Sequence, residues 1–346
     1  MAAGLASADP AAERRRNILV SPLAGDDPAC SPDTLDVARA LESGLVLAAT
    51  LSELPAKFAF LVDGGGASGL SGVRADVILR ADGTGWRIEA GNAATTCTVG
   101  EAPLLALRLA HAALAGDAGP GPGPHFPGRP SAVRPPALRP ARHPDCGPAL
   151  FRSAGLPHEP ATPRLDDAPV TVGSLPGHAF GIGLPPGRLD ATLLFTLATL
   201  AERCGDGTLR ITPWRTILFA GVDRPGETLL RAALSDQLLD PHDPRLRTAS
   251  CIGSRGCRNA SVPAPADAAR LGAMLPANTF LHVSGCPKGC GHPGPAALTL
   301  VGRDGRYDLI RNGRAWDPPV ERGLDVDAAA ELLHHPVGAT SEDITA

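Results

Sequence analysis

The chain has 346 residues, enough for two or three hydrophobic cores, with 32 basic against 36 acidic residues and a net charge of -4. That balance, with a pI near 6.2, gives no general electrostatic case for nucleic acid or an anionic membrane as partner. No run of about 18 apolar residues suits a transmembrane helix, and MAAGLASADPAAERRR lacks the apolar centre of a signal peptide, so the sequence predicts a cytoplasmic protein.

In chain order, a first module over about 14–115 holds a helix in SPDTLDVARALESGLVLAATL, with Ser31 or Asp33 as cap. A strand follows in LPAKFAFLV, then the glycine-rich turn DGGGASG, a hairpin at Asp82-Gly83 and a helix in PLLALRLAHAALAG. Residues 116–167, with GPGPGPHFPGRPSAVRPPALRPARHP, are proline-dense and predict an extended connector. Over 168–240, strands in VTVGSL and HAFGIGL, a helix capped by Asp190 and a strand pair in LRITPWRTILFAGV predict a β-β-α-β unit. A second module covers 245–320, and 321–346 is expected to be a tail.

The two modules read as copies. LPAKFAFLV (54–62) aligns without a gap on LPANTFLHV (275–283), Gly64 falls on Gly285, and Gly65 and Gly69 fall on Cys286 and Cys290. Further on, Asp82-Gly83 and Trp86 answer Asp304-Gly305 and Tyr307, the turn offset by one residue.

Only the second copy carries candidate metal ligands: Cys251 and Cys257 as C-x5-C, then Cys286 and Cys290 as C-x3-C. A lone cysteine is more often an ordinary core residue, and zinc prefers tighter hooks such as C-x2-C. Four cysteines at these longer spacings, amid glycines that let backbone amides approach sulfur, suit a four-iron cluster best. Cys30, Cys97, Cys146 and Cys204 are scattered and read as core or incidental thiols. Lysine occurs twice, at Lys57 and Lys288, in a chain that otherwise uses arginine, so both are candidates for a role that needs a compact ammonium.

At these residues the chain resembles the nitrite and sulfite reductase superfamily: Arg16-Asn17, Leu54 to Phe58 as LPxKF, the strand ending in Arg215, and the two cysteine pairs. SPLAGDDP, LPAKFAFLVDGGG and HVSGCPKGC look most like its precorrin-3B synthase family. The resemblance implies an α+β fold, with duplicated α/β modules and a ferredoxin-like half-domain between them. A matching first half-domain is expected to be missing ahead of the first module.

Carried over, the resemblance implies O2-dependent hydroxylation and lactone formation on precorrin-3A in aerobic cobalamin biosynthesis. It implies a 4Fe-4S cluster on the four cysteines and a mononuclear non-haem iron. Electrons would come from an external donor, an NADH-linked reductase or a ferredoxin. Arg16, Asn17, Lys57 and Arg215 match substrate-binding positions, since a macrocycle fringed with carboxylates needs many cations. Lys57 and Lys288 are the catalytic candidates, Lys288 also offsetting the anionic cluster. These cations are expected to line one cavity. The alternatives are a siroheme-dependent sulfite or nitrite reductase, in which Cys290 would bridge to the haem, and a truncated non-catalytic cluster or tetrapyrrole carrier. Ala59, where siroheme reductases carry a second lysine, and Lys288, where they carry asparagine, weigh against siroheme.

Overall fold

The computed structural model describes residues 7–116, 138–141, 143–162, 169, 171–184 and 189–333. The chain divides into two units, 1–170 and 171–346. Among the described residues no helix is long and apolar enough to cross a membrane.

The first unit begins with helix α1 (Pro10–Arg15), whose first turn is capped by the Asp9 carboxylate accepting from Ala11 N at 2.8 Å. Strand β1 (Ile18–Val20) and helix α2 (Thr34–Leu47) lead to β2 (Phe60–Asp63), β3 (Val77–Asp82), β4 (Gly85–Ala90), β5 (Ala93–Cys97) and helix α3 (Ala102–Ala115). β2 pairs in parallel with β1 and β3 and is buried along its whole length, which is why it reads as an unbroken apolar run. β3, β4 and β5 continue antiparallel. The helices turn Val37, Leu41, Leu45, Ala106, Leu109 and Ala113 toward Phe58, Phe60 and Trp86 in one core. Each large side chain so buried contributes about 1.5–3 kcal/mol.

The stretch expected to be an extended connector belongs in part to this unit. Helix α4 (Gly147–Ser153) puts Leu150 and Phe151 into the core, and β6 (Glu159–Pro160) adds an edge strand to β5. Arg139 packs there too, pairing with the fully buried Asp76 at 2.8 Å. Proline density misleads at these points because proline sits in the first turn of α4 and on an edge strand, two places where a missing N–H costs nothing. Residues 117–137, 142 and 163–167 of the predicted connector lie outside the described residues.

The second unit opens with β7 (Gly173–Leu175), β8 (Ala179–Gly183), α5 (Ala191–Cys204), β9 (Leu209–Ile211), β10 (Thr216–Phe219) and α6 (Arg224–Ala233). The strands form an antiparallel sheet of order β7-β8-β10-β9, and Asp190 caps α5 at Leu193 N as expected. A second sheet follows from β11 (Thr248–Ser250), helix α7 (Ala264–Gly272), β12 (Leu281–Ser284), β13 (Ala296–Arg303), β14 (Arg306–Gly313), β15 (Glu321–Leu324) and helix α8 (Val326–Leu333). Part of the expected tail is therefore folded: β15 pairs with β14, and α8 buries Ala329 and Leu333. Its apolar residues at Val326, Ala329, Ala330 and Leu333 follow helical spacing. Residues 334–346 lie outside the described set.

The two larger modules share topology and register. Phe60 pairs with Val77 as Leu281 pairs with Leu298, and Ile78 pairs with Glu89 as Thr299 pairs with Ile310, so one offset (281 − 60 = 298 − 77 = 310 − 89 = 221) covers β2 to β4 and β12 to β14. Ile18 pairs with Phe60 as Thr248 pairs with Leu281, and α2 and α7 begin at Thr34 and Ala264, giving a second offset (248 − 18 = 264 − 34 = 230) for the N-terminal part. The hairpins keep this register too: Asp82 pairs with Gly85 as Arg303 pairs with Arg306. The one-residue slip of the Asp-Gly dipeptide is thus a change of turn, not of strand alignment.

Candidate metal centre

Cys251 follows directly on β11 and Cys286 comes just after β12, so two parallel neighbouring strands deliver the two ligand loops side by side. Gly285 N donates to Cys251 Sγ at 3.1 Å and Gly253 N does so at 3.4 Å. The Cys257 loop returns through Ser261 N to Gly285 O at 3.0 Å. A Cβ at Gly291 would lie 2.5–2.7 Å from the backbone of Ser250 and Cys251, so only glycine after Cys290 lets the loops touch. All eight cysteines are free thiols.

The first module builds the same loop without sulfur. By the two offsets, Cys251, Cys257, Cys286 and Cys290 correspond to Ser21, Asp27, Gly65 and Gly69. Gly64 N donates to Ser21 Oγ at 3.0 Å as Gly285 N donates to Cys251 Sγ. Asp27 N bonds Leu23 O as Cys257 N bonds Gly253 O, and Ser31 N bonds Gly64 O as Ser261 N bonds Gly285 O. The cradle is a property of the backbone; the thiols are an addition to it.

Four thiols on adjoining loops, with two amides aimed at one sulfur, form a donor set that fits a four-iron cluster. Among the described residues no three His, Cys, Asp or Glu side chains gather as a ligand set for a metal ion. Of the scattered cysteines, Cys30 and Cys204 are buried and Cys97 and Cys146 partly so; burial raises the pKa of Cys30 and Cys146 and pushes Cys97 up to about 11.

Two residues near the loops, His282 and Trp316, escaped sequence reasoning, and a third, His292, is less open than the sequence suggests. His282, on β12, is fully buried with neither ring nitrogen hydrogen-bonded, and burial followed by the nearby His292 lowers its pKa to about 4. Its apolar strand gave no signal for it. His292, two residues after Cys290, is half-buried: its ring packs 4.9 Å from Phe280 and 5.7 Å from His282, with Nε2 3.2 Å from Pro295 O. Trp316 lies against the Cys286–Cys290 loop, its ring carbons 3.3–3.6 Å from where a Gly289 Cβ would stand. In the module's core Tyr307 donates to Asp267 at 2.5 Å, and burial together with that carboxylate raises the phenol pKa.

The predicted cations fall in both units. Lys57 is exposed; its carbonyl is held by Arg139. Asn17 Nδ2 donates to Phe58 O at 3.3 Å, tying β1 to the Lys57 segment. Arg16 is already engaged, at 2.5 Å from Glu42 and 2.6 Å from Glu13, and these carboxylates raise its pKa. In the second unit Lys288 is exposed on its loop. Arg215 adopts φ +60°, donates to Thr248 O at the start of β11, and lines a pocket with Trp214, Leu184, Leu246 and Ala268; burial lowers its pKa.

Residues 175–225 match the family described as Nitrite/Sulfite reductase ferredoxin-like half domain. The chain is 31% identical over 321 residues to a precorrin-3B synthase of Sinorhizobium sp., covering 86% of this chain and 65% of that protein's length. It is 32% identical over 136 residues to the ferredoxin–nitrite reductase of Synechococcus elongatus, covering 37% of this chain and 27% of the relative. In fold it is similar to the Mycobacterium tuberculosis NirA protein, with a TM-score of 0.65 and 18% identity over 94% of this chain and 68% of that one. Duplicated modules in one register, the half-domain match and these relatives point the same way: the chain is similar to proteins of the nitrite and sulfite reductase superfamily and spans about two thirds of the length of the precorrin-3B synthase it matches.

Proposed function

We propose that the chain is an iron-sulfur oxidoreductase of the precorrin-3B synthase kind, cytoplasmic, which hydroxylates precorrin-3A with O2 and closes a lactone on it. The observation that carries the reading is the cysteine set. Two modules share one loop backbone, and only the second arms it with four thiols. The match to a precorrin-3B synthase spans most of the chain, whereas the nitrite and sulfite reductase matches cover less than half of it.

Cys251, Cys257, Cys286 and Cys290 would hold the cluster, with amides of Gly253 and Gly285 easing negative charge on Cys251. A bound four-iron cluster would supply single electrons from an external donor, an NADH-linked reductase or a ferredoxin. Lys288, between two ligands, would offset the cluster's charge. Arg215 presents a partly buried guanidinium whose one acceptor among the described residues is a carbonyl, so a substrate carboxylate would complete its pairing. Arg16 would have to exchange Glu13 or Glu42 to do the same. Lys57 holds an ammonium on a backbone fixed by Asn17 and Arg139 and is assigned to the substrate. A mononuclear iron belongs to this reading without assigned ligands.

Iron and sulfide analysis, visible spectra and precorrin-3A consumption under air test the proposal together. Lys57→Ala is expected to cut turnover at least about tenfold, a loss of roughly 1.4 kcal/mol in transition-state stabilisation, with the cluster spectrum unchanged. Strong red absorption from bound siroheme would favour the reductase reading. A cluster without turnover would favour a carrier.

A further inference from the structure

The turn that carries Lys57 is built twice, and one copy alone is clamped by a distant segment. Phe58 N donates to Pro55 O at 2.8 Å as Thr279 N donates to Pro276 O at 3.3 Å, so Lys57 and Asn278 hold the same place in the same turn. Asn17 Nδ2 donates to Phe58 O as Arg247 Nε donates to Thr279 O, the two donors standing 230 residues apart (247 − 17), the offset of the N-terminal parts. That tie is common to both modules and belongs to the fold. Two further bonds have no counterpart among the described residues of the second module. Arg139 donates to Lys57 O, and the Asp76 carboxylate accepts from Ala59 N at 3.0 Å. Asp76, which has no exposed surface, also accepts from Arg139 Nε at 2.9 Å and from Ala141 N at 3.2 Å, and the guanidinium lies 5.9 Å from the centre of the buried Phe58 ring. The residue in the place of Asp76 is Ala297. Asn278, without such a clamp, turns left-handed at φ +58°, a conformation that Lys57 does not share.

Burying a carboxylate with a guanidinium carries a desolvation cost that apolar residues avoid, and the second module folds the same turn without it. The pair therefore supplies something the turn itself does not need. Its bonds fall on Lys57 and Ala59, either side of a Phe58 sunk in the core, so the root of the lysine is fixed while its side chain stays exposed. A long, flexible side chain meets a reacting group reliably only when the backbone that bears it is held. We propose that Asp76 and Arg139 are positioning residues for Lys57: Asp76 holds the guanidinium, the guanidinium holds the Lys57 carbonyl, and the ammonium is thereby aimed at the tetrapyrrole. This rests on the assignment of Lys57 to the substrate above, and extends that site to a segment 82 residues further along the chain.

Lys57 and Lys288 are the chain's two lysines, so Lys288 serves as a reference within the same molecule. Holoprotein is acetylated with an amine-reactive ester, with and without precorrin-3A, and each lysine is read by peptide mass spectrometry beside kcat and KM under air. Arg139→Lys keeps a cation on Asp76 but loses the planar fork that spans Asp76 and the Lys57 carbonyl. It is expected to cut kcat at least about tenfold with KM within about threefold, and to reduce the protection of Lys57 by precorrin-3A at least about fivefold, with the cluster spectrum unchanged. A purely structural pair would lower the urea midpoint and leave kcat and protection alone. In a Lys57→Ala background Arg139→Lys should cost less than about twofold more, because nothing is left to position. Asp76→Asn with Arg139→Gln, an uncharged pair, should reproduce the pattern and stands in if the first variant does not fold. Losses that multiply in the double variant, or full protection and turnover in both clamp variants, would overturn the positioning role alone. A wild type whose Lys57 is not protected by precorrin-3A, with full turnover in Lys57→Ala, would overturn the substrate assignment of Lys57 and the positioning role with it.

Discussion

In the first module Ser21, Asp27, Gly65 and Gly69 stand where the second has Cys251, Cys257, Cys286 and Cys290, inside loops closed by the same backbone hydrogen bonds. The modules differ as much beneath the loops. Asp63, Arg80 and Glu89 form a buried chain of charge, Asp63 bonded to Arg80 and Arg80 3.8 Å from Glu89. Their counterparts Ser284, Val301 and Ile310 put two apolar side chains into a small cluster with Ala315. One backbone therefore tolerates either a charged or an apolar layer, and either a thiol-bearing or a thiol-free loop. The first module builds the shared backbone with no thiol at these four positions.

The largest expected effect follows from that shared backbone. Cys251→Ser should abolish the iron-sulfur spectrum, yet Ser21 already receives the corresponding amide bond, so serine should keep the loop. Stability of the metal-free form is expected to change by less than about 1 kcal/mol, measured by urea unfolding of apoprotein and variant. A variant that cannot fold would show that the cradle needs the cluster after all.

The charged layer gives the next effect. Asp63→Ser copies the second module's residue but leaves Arg80 buried beside a carboxylate too distant to replace the lost one. Breaking such a pair costs about 3–5 kcal/mol, whereas replacing a whole buried set by apolar residues is often neutral or stabilising. Asp63→Ser with Arg80→Val and Glu89→Ile should therefore recover most of the loss. Denaturant midpoints of the single and triple variants decide the matter, and a triple variant weaker than the single one would refute the equivalence of the two layers.

His282 occupies the place of Leu61, both fully buried. With a pKa of about 4 in the folded protein against 6.5 when free, the imidazole is more easily protonated in the unfolded chain. Stability is thus full above the free value and is lost as pH falls toward the folded one. Between pH 7 and pH 5 the loss attributable to this group is about 2 kcal/mol. His282→Leu should remove that slope and, by replacing a ring with two unpaired nitrogens, raise stability at neutral pH by about 1 kcal/mol. Parallel pH profiles for wild type and variant would exclude His282 as the source.

The duplication was legible because 54–69 and 275–290, the second of which carries Cys286 and Cys290, keep the same strand and turn residues, LPA, Val and Gly. Ser21 and Asp27 were illegible as counterparts of Cys251 and Cys257: what the two loops share is backbone hydrogen bonding, which leaves no residue identity to align. Residues 138–162 were misread because their order comes from partners far along the chain, Arg139 on Asp76 and Phe151 in the first core. Likewise nothing local in LHV announces that the histidine is sealed from solvent.

The smallest effect concerns the hairpins, where sequence aligned Asp-Gly with Asp-Gly and the structure aligned the strands instead. The first turn needs a left-handed backbone only at Gly83, φ +61°, while the second needs it at both Asp304, φ +50°, and Gly305, φ +79°. These are the two mirror-image turns that match strand twist, one with glycine at its first central position and one left-handed at both. A Cβ at Gly83 would meet nothing within 4 Å, so Gly83→Ala should cost only the conformational penalty of an L-residue there, about 1–2 kcal/mol. Asp304→Gly should change stability by less than about 0.5 kcal/mol, because relief of the left-handed aspartate offsets the added freedom of the unfolded chain. Had the dipeptides been equivalent, as the sequence alignment supposed, Asp82→Gly would behave like Asp304→Gly. Asp82 lies in a strand instead, paired with Gly85, so glycine there should cost about 1 kcal/mol, and unfolding midpoints that do not separate the two substitutions would reject the structural alignment.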